Sequence, residues 1–264
     1  MSFMRPGYAR VVMEQRGASE PPRPETSRFA HKYRLFRYME GSGKGGSNLL
    51  SFPVLYLPGH LARCDTRIVL RFIHDPAPHP SFKQARSLGA SLVEASRGTG
   101  PPPDLFTVDF REEASGMLGH TVWYQAEFVN DAIATIQALY ERMLQHCSSP
   151  PPQSNRTHVP QIVLVGHSMG GFVARTAVAL KGHPPKSVAA IVSLASPQTR
   201  PSVALDPVLV STYDTVNTFW RYVCVLLHAC FRVSGIALLS VSAGRRDTHV
   251  HEDWTSLDVR VPWL

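Results

Sequence analysis

Residues 166–171 read Gly-His-Ser-Met-Gly-Gly, a spacing that suits a serine nucleophile. In G-x-S-x-G the serine occupies a tight strand-to-helix turn, and the small residues beside it let neighbouring backbone pass close. The flanks fit that geometry: QIVLV at 161–165 is apolar and rich in β-branched residues, and 171–180 has helical composition. Ser168 is therefore expected to present its hydroxyl above a sheet for acyl transfer. The N–H of Met169, at the start of the helix, would face a developing oxyanion. The plainer alternative is a tight structural turn.

A nucleophile of this kind needs a second oxyanion donor, an imidazole base and an acid that orients the base. The loop LPGH at 57–60 follows an apolar run, so the backbone N–H of His60 is the candidate second donor. Asp247 follows the run IALLSVSA and the turn Gly244-Arg245-Arg246, which makes it the candidate acid. Asp206 and Asp214 compete for that role but lie between strands rather than at a strand end. The chain order serine, acid, histidine requires a histidine beyond Asp247. His249 and His251 stand two and four positions on, too close to be reached through a further strand. Both read more simply as turn residues, and the catalytic histidine stays unassigned. Without it, the chain is expected to hydrolyse acyl esters barely above background. No metal or organic cofactor is needed, because the acyl-enzyme forms on the serine itself.

The elements that must position these residues follow from hydrophobic pattern. Short apolar runs at Phe52–Leu57, Asp104–Phe110, Gln161–Val165, Ser187–Ala195 and Ile236–Ser242 read as buried strands. Lys83–Glu94 and Gly171–Leu180 read as helices. From Glu127 to Gln145 apolar residues recur at Val129, Ala132, Ile133, Ile136, Tyr140, Met143 and Leu144, the stripe of an amphipathic helix. Strands that are apolar throughout and alternate with helices predict an α/β fold, its mostly parallel sheet covered on both faces. Residues 1–50, ending in the loop GSGKGGS, are expected to be irregular, and 51–264 to form the domain. Leu61 to Pro80 carries three arginines, two histidines and three prolines without an apolar face, and reads as an insertion.

Composition removes several other classes. An apolar fraction of 44% rules out a wholly disordered chain. Twenty-seven Lys+Arg against 20 Asp+Glu give a net charge of +7, but the charge is scattered and marks no nucleic-acid arm. Cys64, Cys147, Cys224 and Cys230 show no CxxC spacing, so zinc is not expected. Asn155-Arg156-Thr157 is a glycosylation sequon, usable only in a secretory lumen. Met1 to Arg10 lacks the apolar core of a signal peptide. The most apolar long stretch, Phe219–Ala243, holds Arg221, His228 and Arg232, which argues against a membrane span. As written, the chain is expected to be soluble.

The motifs resemble one family, the GPI inositol-deacylases of the endoplasmic reticulum, lipase-like members of the α/β-hydrolases. The likeness runs in order through MSFM with Pro6 and Tyr8, YRLFRYMEG at 33–41 and FPVLYLPG at 52–59. It continues through SFKQARS at 81–87, LFTVDFREE at 105–113, IVLVGHSMGGFVAR at 162–175 and ASP at 195–197. Leu205-Asp206, VNTFW at 216–220 and LLSVSAGRRD at 238–247 complete it. The resemblance implies an α/β-hydrolase fold and a serine esterase that removes the acyl chain from the inositol of GPI-anchored proteins. It implies those proteins or their acylated inositol lipid as partners. It also implies an endoplasmic-reticulum membrane protein with a lumenal catalytic domain. Against the family pattern, 61–80 intervenes after the LPG loop, and Val223 to Arg232 looks foreign. The segment with the histidine and the membrane helices is missing. The chain is thus expected to be a truncated or divergent member, its C-terminal part incomplete. The rival readings are another soluble lipase or thioesterase, or an inactive remnant that binds lipid or a partner.

Overall fold

The computed structural model describes residues 7–39, 51–59, 85–146, 159–225, 235–244, 247 and 250–257. Nine strands are found among them: β1 (Gly7–Val11), β2 (Glu14–Gln15), β3 (Thr26–Ser27), β4 (Arg34–Met39), β5 (Pro53–Leu57), β6 (Asp104–Asp109), β7 (Ile162–His167), β8 (Val188–Leu194) and β9 (Ala237–Val241). The described helices are α1 (Ala85–Ala95), α2 (Gly119–His146), α3 (Met169–Ala179) and α4 (Pro207–Val225), with a 3₁₀ turn at Glu252–Thr255.

Seven strands form one sheet in the order β1-β4-β6-β5-β7-β8-β9, and β2 pairs with β3 apart from it. From β6 to β9 every neighbour is parallel, while β1 and β4 run antiparallel at the other edge. Because side chains alternate across a strand, each central strand feeds two cores. Leu55 and Leu57, with Ile162 and Leu164, pack on the face covered by α2, α3 and α4. Val54, Tyr56 and Val165 face the other way, together with Ala85 of α1. Helices therefore cover both faces of a mostly parallel sheet, as expected.

The first fifty residues correct an expectation. They supply β1 and β4, which extend the main sheet. Arg34 and Arg37 interrupt the apolar pattern of β4, so the strand does not announce itself. Arg37 is accommodated by a 2.8 Å ion pair with Asp104, which also accepts from Tyr140 Oη at 2.6 Å and Ser51 N at 3.0 Å. One buried carboxylate thus ties β4, β6 and α2 together. The segments 61–80 and 226–232 lie outside the described residues, and of Val223–Val225 the backbone continues α4.

The helix α4 is the other element the pattern did not reveal. Asp206 stands just before it, with Pro207 at the first helical position, where a missing N–H costs nothing. Its Oδ1 accepts from Val208 N at 3.0 Å, and its Oδ2 from Gly119 N, the start of α2, at 2.7 Å. These bonds hold the Asp206 carboxyl below the usual carboxylate range. Asp206 is a helix cap, which accounts for this rival to Asp247.

Candidate active site

Ser168 sits between β7 and α3 with φ 51° and ψ −127°. A non-glycine residue with such a φ is strained, by about 1–3 kcal/mol, and persists only where its surroundings fix it. The hydroxyl does not cap α3. The glycines explain why the turn can close. A Cβ on Gly166 would lie 2.3 Å from Gly171 N, and one on Gly170 would lie 2.2 Å from Leu57 O. No larger residue fits between the elbow and the end of β5.

The chain leaving β5 comes directly against Ser168, since a Cβ on Gly59 would stand 2.7 Å from Ser168 Cβ. His60, the residue expected to supply the second oxyanion donor, lies outside the described residues, as do His249 and Asn155. Met169 opens α3 and is buried, so its N–H falls in the first turn, where no intrahelical acceptor exists. Its sulfur is touched by Tyr213 Oη at 3.6 Å.

Asp247 follows β9 at the same C-terminal sheet edge that carries the elbow. Its N–H donates to Gly244 O at 3.1 Å and its Oδ1 accepts from Val250 N at 3.1 Å, so the turn orients the carboxylate. Its charge reaches His167, whose burial lowers the imidazole pKa more than Asp247 raises it. Burial thus favours the neutral imidazole of His167 beside the elbow, and its buried Nδ1 has no hydrogen-bond partner. His251 has a local task. Its Nδ1 accepts from Asp253 N at 3.4 Å and caps the 3₁₀ turn. Among the described residues no histidine ring is hydrogen-bonded to Ser168.

The sequence pattern gave no role to the residues behind Ser168. Ser168 N–H donates to Leu194 O at 2.9 Å, and Ser168 O accepts from the hydroxyl of Ser196. Arg175, 3% exposed, reaches Gln198 and Asn217 from α3. A buried arginine inside an apolar helix, here in GFVAR, is the signal that could have pointed to this network.

A parallel sheet with an antiparallel N-terminal edge and a strained serine between strand and helix define an α/β-hydrolase-fold protein. The family model described as the PGAP1-like alpha/beta domain matches residues 66–263, and the chain belongs to that family. It is 32% identical over 278 residues to a GPI inositol-deacylase of Phaeosphaeria nodorum, covering 99% of this chain and 23% of that protein. With the GPI inositol-deacylase of Schizosaccharomyces pombe it shares 30% identity over 280 residues, 99% of this chain and 22% of the relative. The chain thus spans less than a quarter of these curated relatives. Among solved structures, a putative carboxylesterase from Lactobacillus plantarum is similar at TM-score 0.45 and 16% identity, over 96% of this chain and 80% of that one. Among the described residues, no helix is long and apolar enough to cross a membrane.

Proposed function

We propose that this chain is the catalytic α/β domain of a GPI inositol-deacylase, a serine esterase that removes the acyl chain from the inositol of GPI-anchored proteins. The observation that carries the reading is the strained Ser168, set against the glycine loop after β5 in a family whose relatives are named for this deacylation. The substrate would be the acylated inositol lipid of those proteins, and the place of action the lumenal side of the endoplasmic-reticulum membrane.

Ser168 Oγ attacks the acyl carbonyl, and its proton passes to an imidazole. The tetrahedral oxyanion is held by the Met169 N–H and by a second N–H from the loop after Gly59, assigned to His60. The inositol oxygen leaves with the proton, and water then hydrolyses the acyl-serine. Asp247 orients the imidazole. That base lies outside the described residues or is supplied by a longer protein.

In an active full-length protein, fluorophosphonate labelling, together with fatty-acid release from inositol-acylated and from simple acyl esters, tests the proposal. Labelling confined to Ser168, with release that prefers the inositol ester, is the expected result. Equal turnover of both esters would instead favour a general lipase. Labelling that persists in Ser168→Ala would overturn the assignment of the nucleophile.

A further inference from the structure

The backbone N–H and C=O of Ser168 are held by the end of β8 and by the loop that follows it. Its N–H donates to the carbonyl of Leu194, the last residue of β8, at 2.9 Å. Its C=O accepts from Ser196 Oγ, two residues further on, and from Gly171 N at 3.1 Å. Ser196 is fully buried, and a Cβ on Gly171 would lie 2.4 Å from its Oγ. The hydroxyl therefore occupies the room that glycine leaves at the third residue of α3.

The loop that carries Ser196 is itself fixed from several elements. Ala195, at φ 45°, donates its N–H to Val241 O of β9 at 2.8 Å. Tyr213 Oη, from α4, donates to Pro197 O at 3.0 Å. Arg175 Nη1, from α3, donates to Gln198 O at 3.1 Å and to Gln198 Oε1 at 3.0 Å. Gln198 N–H donates to Trp254 O at 2.6 Å.

We infer that Ser196 is a positioning residue for the nucleophile: its hydroxyl holds the Ser168 carbonyl in the strained conformation, and the loop 195–199 transmits the rigidity of α3, α4 and β9 to that bond. The inference rests on the reading of Ser168 as nucleophile. A residue in a sparsely populated backbone region relaxes unless neighbours over-determine it. Leu194 O fixes the N–H side, and Ser196 Oγ joins the donors of the first turn of α3 on the carbonyl side. The bond touches no substrate atom, so its effect reaches the reaction only through the geometry of Ser168.

The test, made in an active full-length protein, compares Ser196→Ala with Ser196→Thr, which keeps a hydroxyl, and with Gly171→Ala, which would drive the hydroxyl off its acceptor. Two readouts are used: amide hydrogen exchange at Ser168–Gly171, and the second-order rate of fluorophosphonate labelling. One hydroxyl-to-carbonyl bond corresponds to roughly 3- to 10-fold in an equilibrium. Ser196→Ala is expected to speed exchange at the elbow by about that factor and to slow labelling at least as much. The melting temperature should move by no more than a few degrees, and Ser196→Thr should recover most of both effects. Unchanged exchange in Ser196→Ala overturns the inference. So does a fall in melting temperature with exchange and labelling both as in the wild type, which is the mark of a purely structural hydroxyl. Absence of any Ser168-dependent labelling in the wild type would instead strike the nucleophile reading, while the exchange measurement still decides the clamp.

Discussion

The two ends of α3 set a serine into their surroundings in opposite ways. Past the C-terminal end, Asn130 Nδ2 donates to Ala177 O at 2.9 Å, which turns Asn130 Oδ1 toward His183 Nδ1 at 2.9 Å. His183 Nε2 stands 3.4 Å from Ser187 Oγ. Serine, histidine and amide are in a row, as in a catalytic relay. Yet Ser187 is fully buried and spends its proton on Pro184 O at 2.6 Å. At the other end, Ser168 has no described histidine on it, but it has a strained backbone, a helix start and a glycine loop against it. On the proposed reading, the contrast teaches that a chain of hydrogen bonds does not by itself make a reactive serine. What distinguishes Ser168 is backbone strain and a hydroxyl not committed to capping α3.

The comparison can be broken most sharply at the serines themselves. In an active full-length protein, Ser168→Ala should lower acyl-ester hydrolysis by on the order of 10³–10⁶-fold. Ser187→Ala should leave the rate unchanged. A loss of turnover in Ser187→Ala would mean that the buried row is catalytic after all.

Next comes the space behind the elbow. Gly170→Ala places a methyl against Leu57 O and must shift the turn. The expected cost is about 1–3 kcal/mol in chemical denaturation, with labelling slower by on the order of 10²-fold. Wild-type labelling in this variant would show that the elbow tolerates displacement.

The third measurement sharpens the other end. Burial pushes the His183 imidazole down from 6.5 to about 4, so the folded state binds fewer protons than the unfolded state between those values. Its contribution is full above pH 6.5 and is lost as pH falls through that window toward 4, up to about 3 kcal/mol. Asp131, raised to about 6 by burial although Arg16 opposes the shift, works with the opposite sign. Between pH 3.8 and about 6 the folded state binds more protons there, so stability falls as pH rises. The two slopes offset each other in the wild type. His183→Gln should therefore be compared with the wild type across pH 4 to 7: its stability profile should lose the rising component and keep the falling one. An identical profile would show that His183 has the same pKa in the folded and unfolded states. The smallest expected effect is the loss of the Ser187 hydroxyl, about 1 kcal/mol by denaturation.

Much of the centre of this molecule was legible in the sequence. β5, β7 and β8 are largely apolar runs, because both faces of a central parallel strand are mostly buried, β6 keeps Leu105, Phe106 and Val108 between polar residues, and GHSMGG stands where a strand meets a helix. The edges were not. In β4, Arg34 and Arg37 break the pattern, and the carboxylate that accepts Arg37 lies 67 residues away in the chain. In α4, a sequence rich in Val, Thr and Tyr is helical because Asp206 and Pro207 start it and the faces of α2 and α3 bury it. Ser196 could be read as part of a family motif, but not as a partner of Ser168: that contact exists only once β7 and β8 lie side by side.

Asp206 gives α2 and α4 a common counter-charge. The start of a helix carries roughly half a positive elementary charge, and here two starts converge so closely that a Cβ on Gly119 would lie 2.5 Å from the backbone of Leu209. Left alone, the two dipoles would repel, and a single carboxylate makes their meeting attractive. The helix docked in this way also carries Tyr213, whose hydroxyl holds Pro197 O in the loop bearing Ser196.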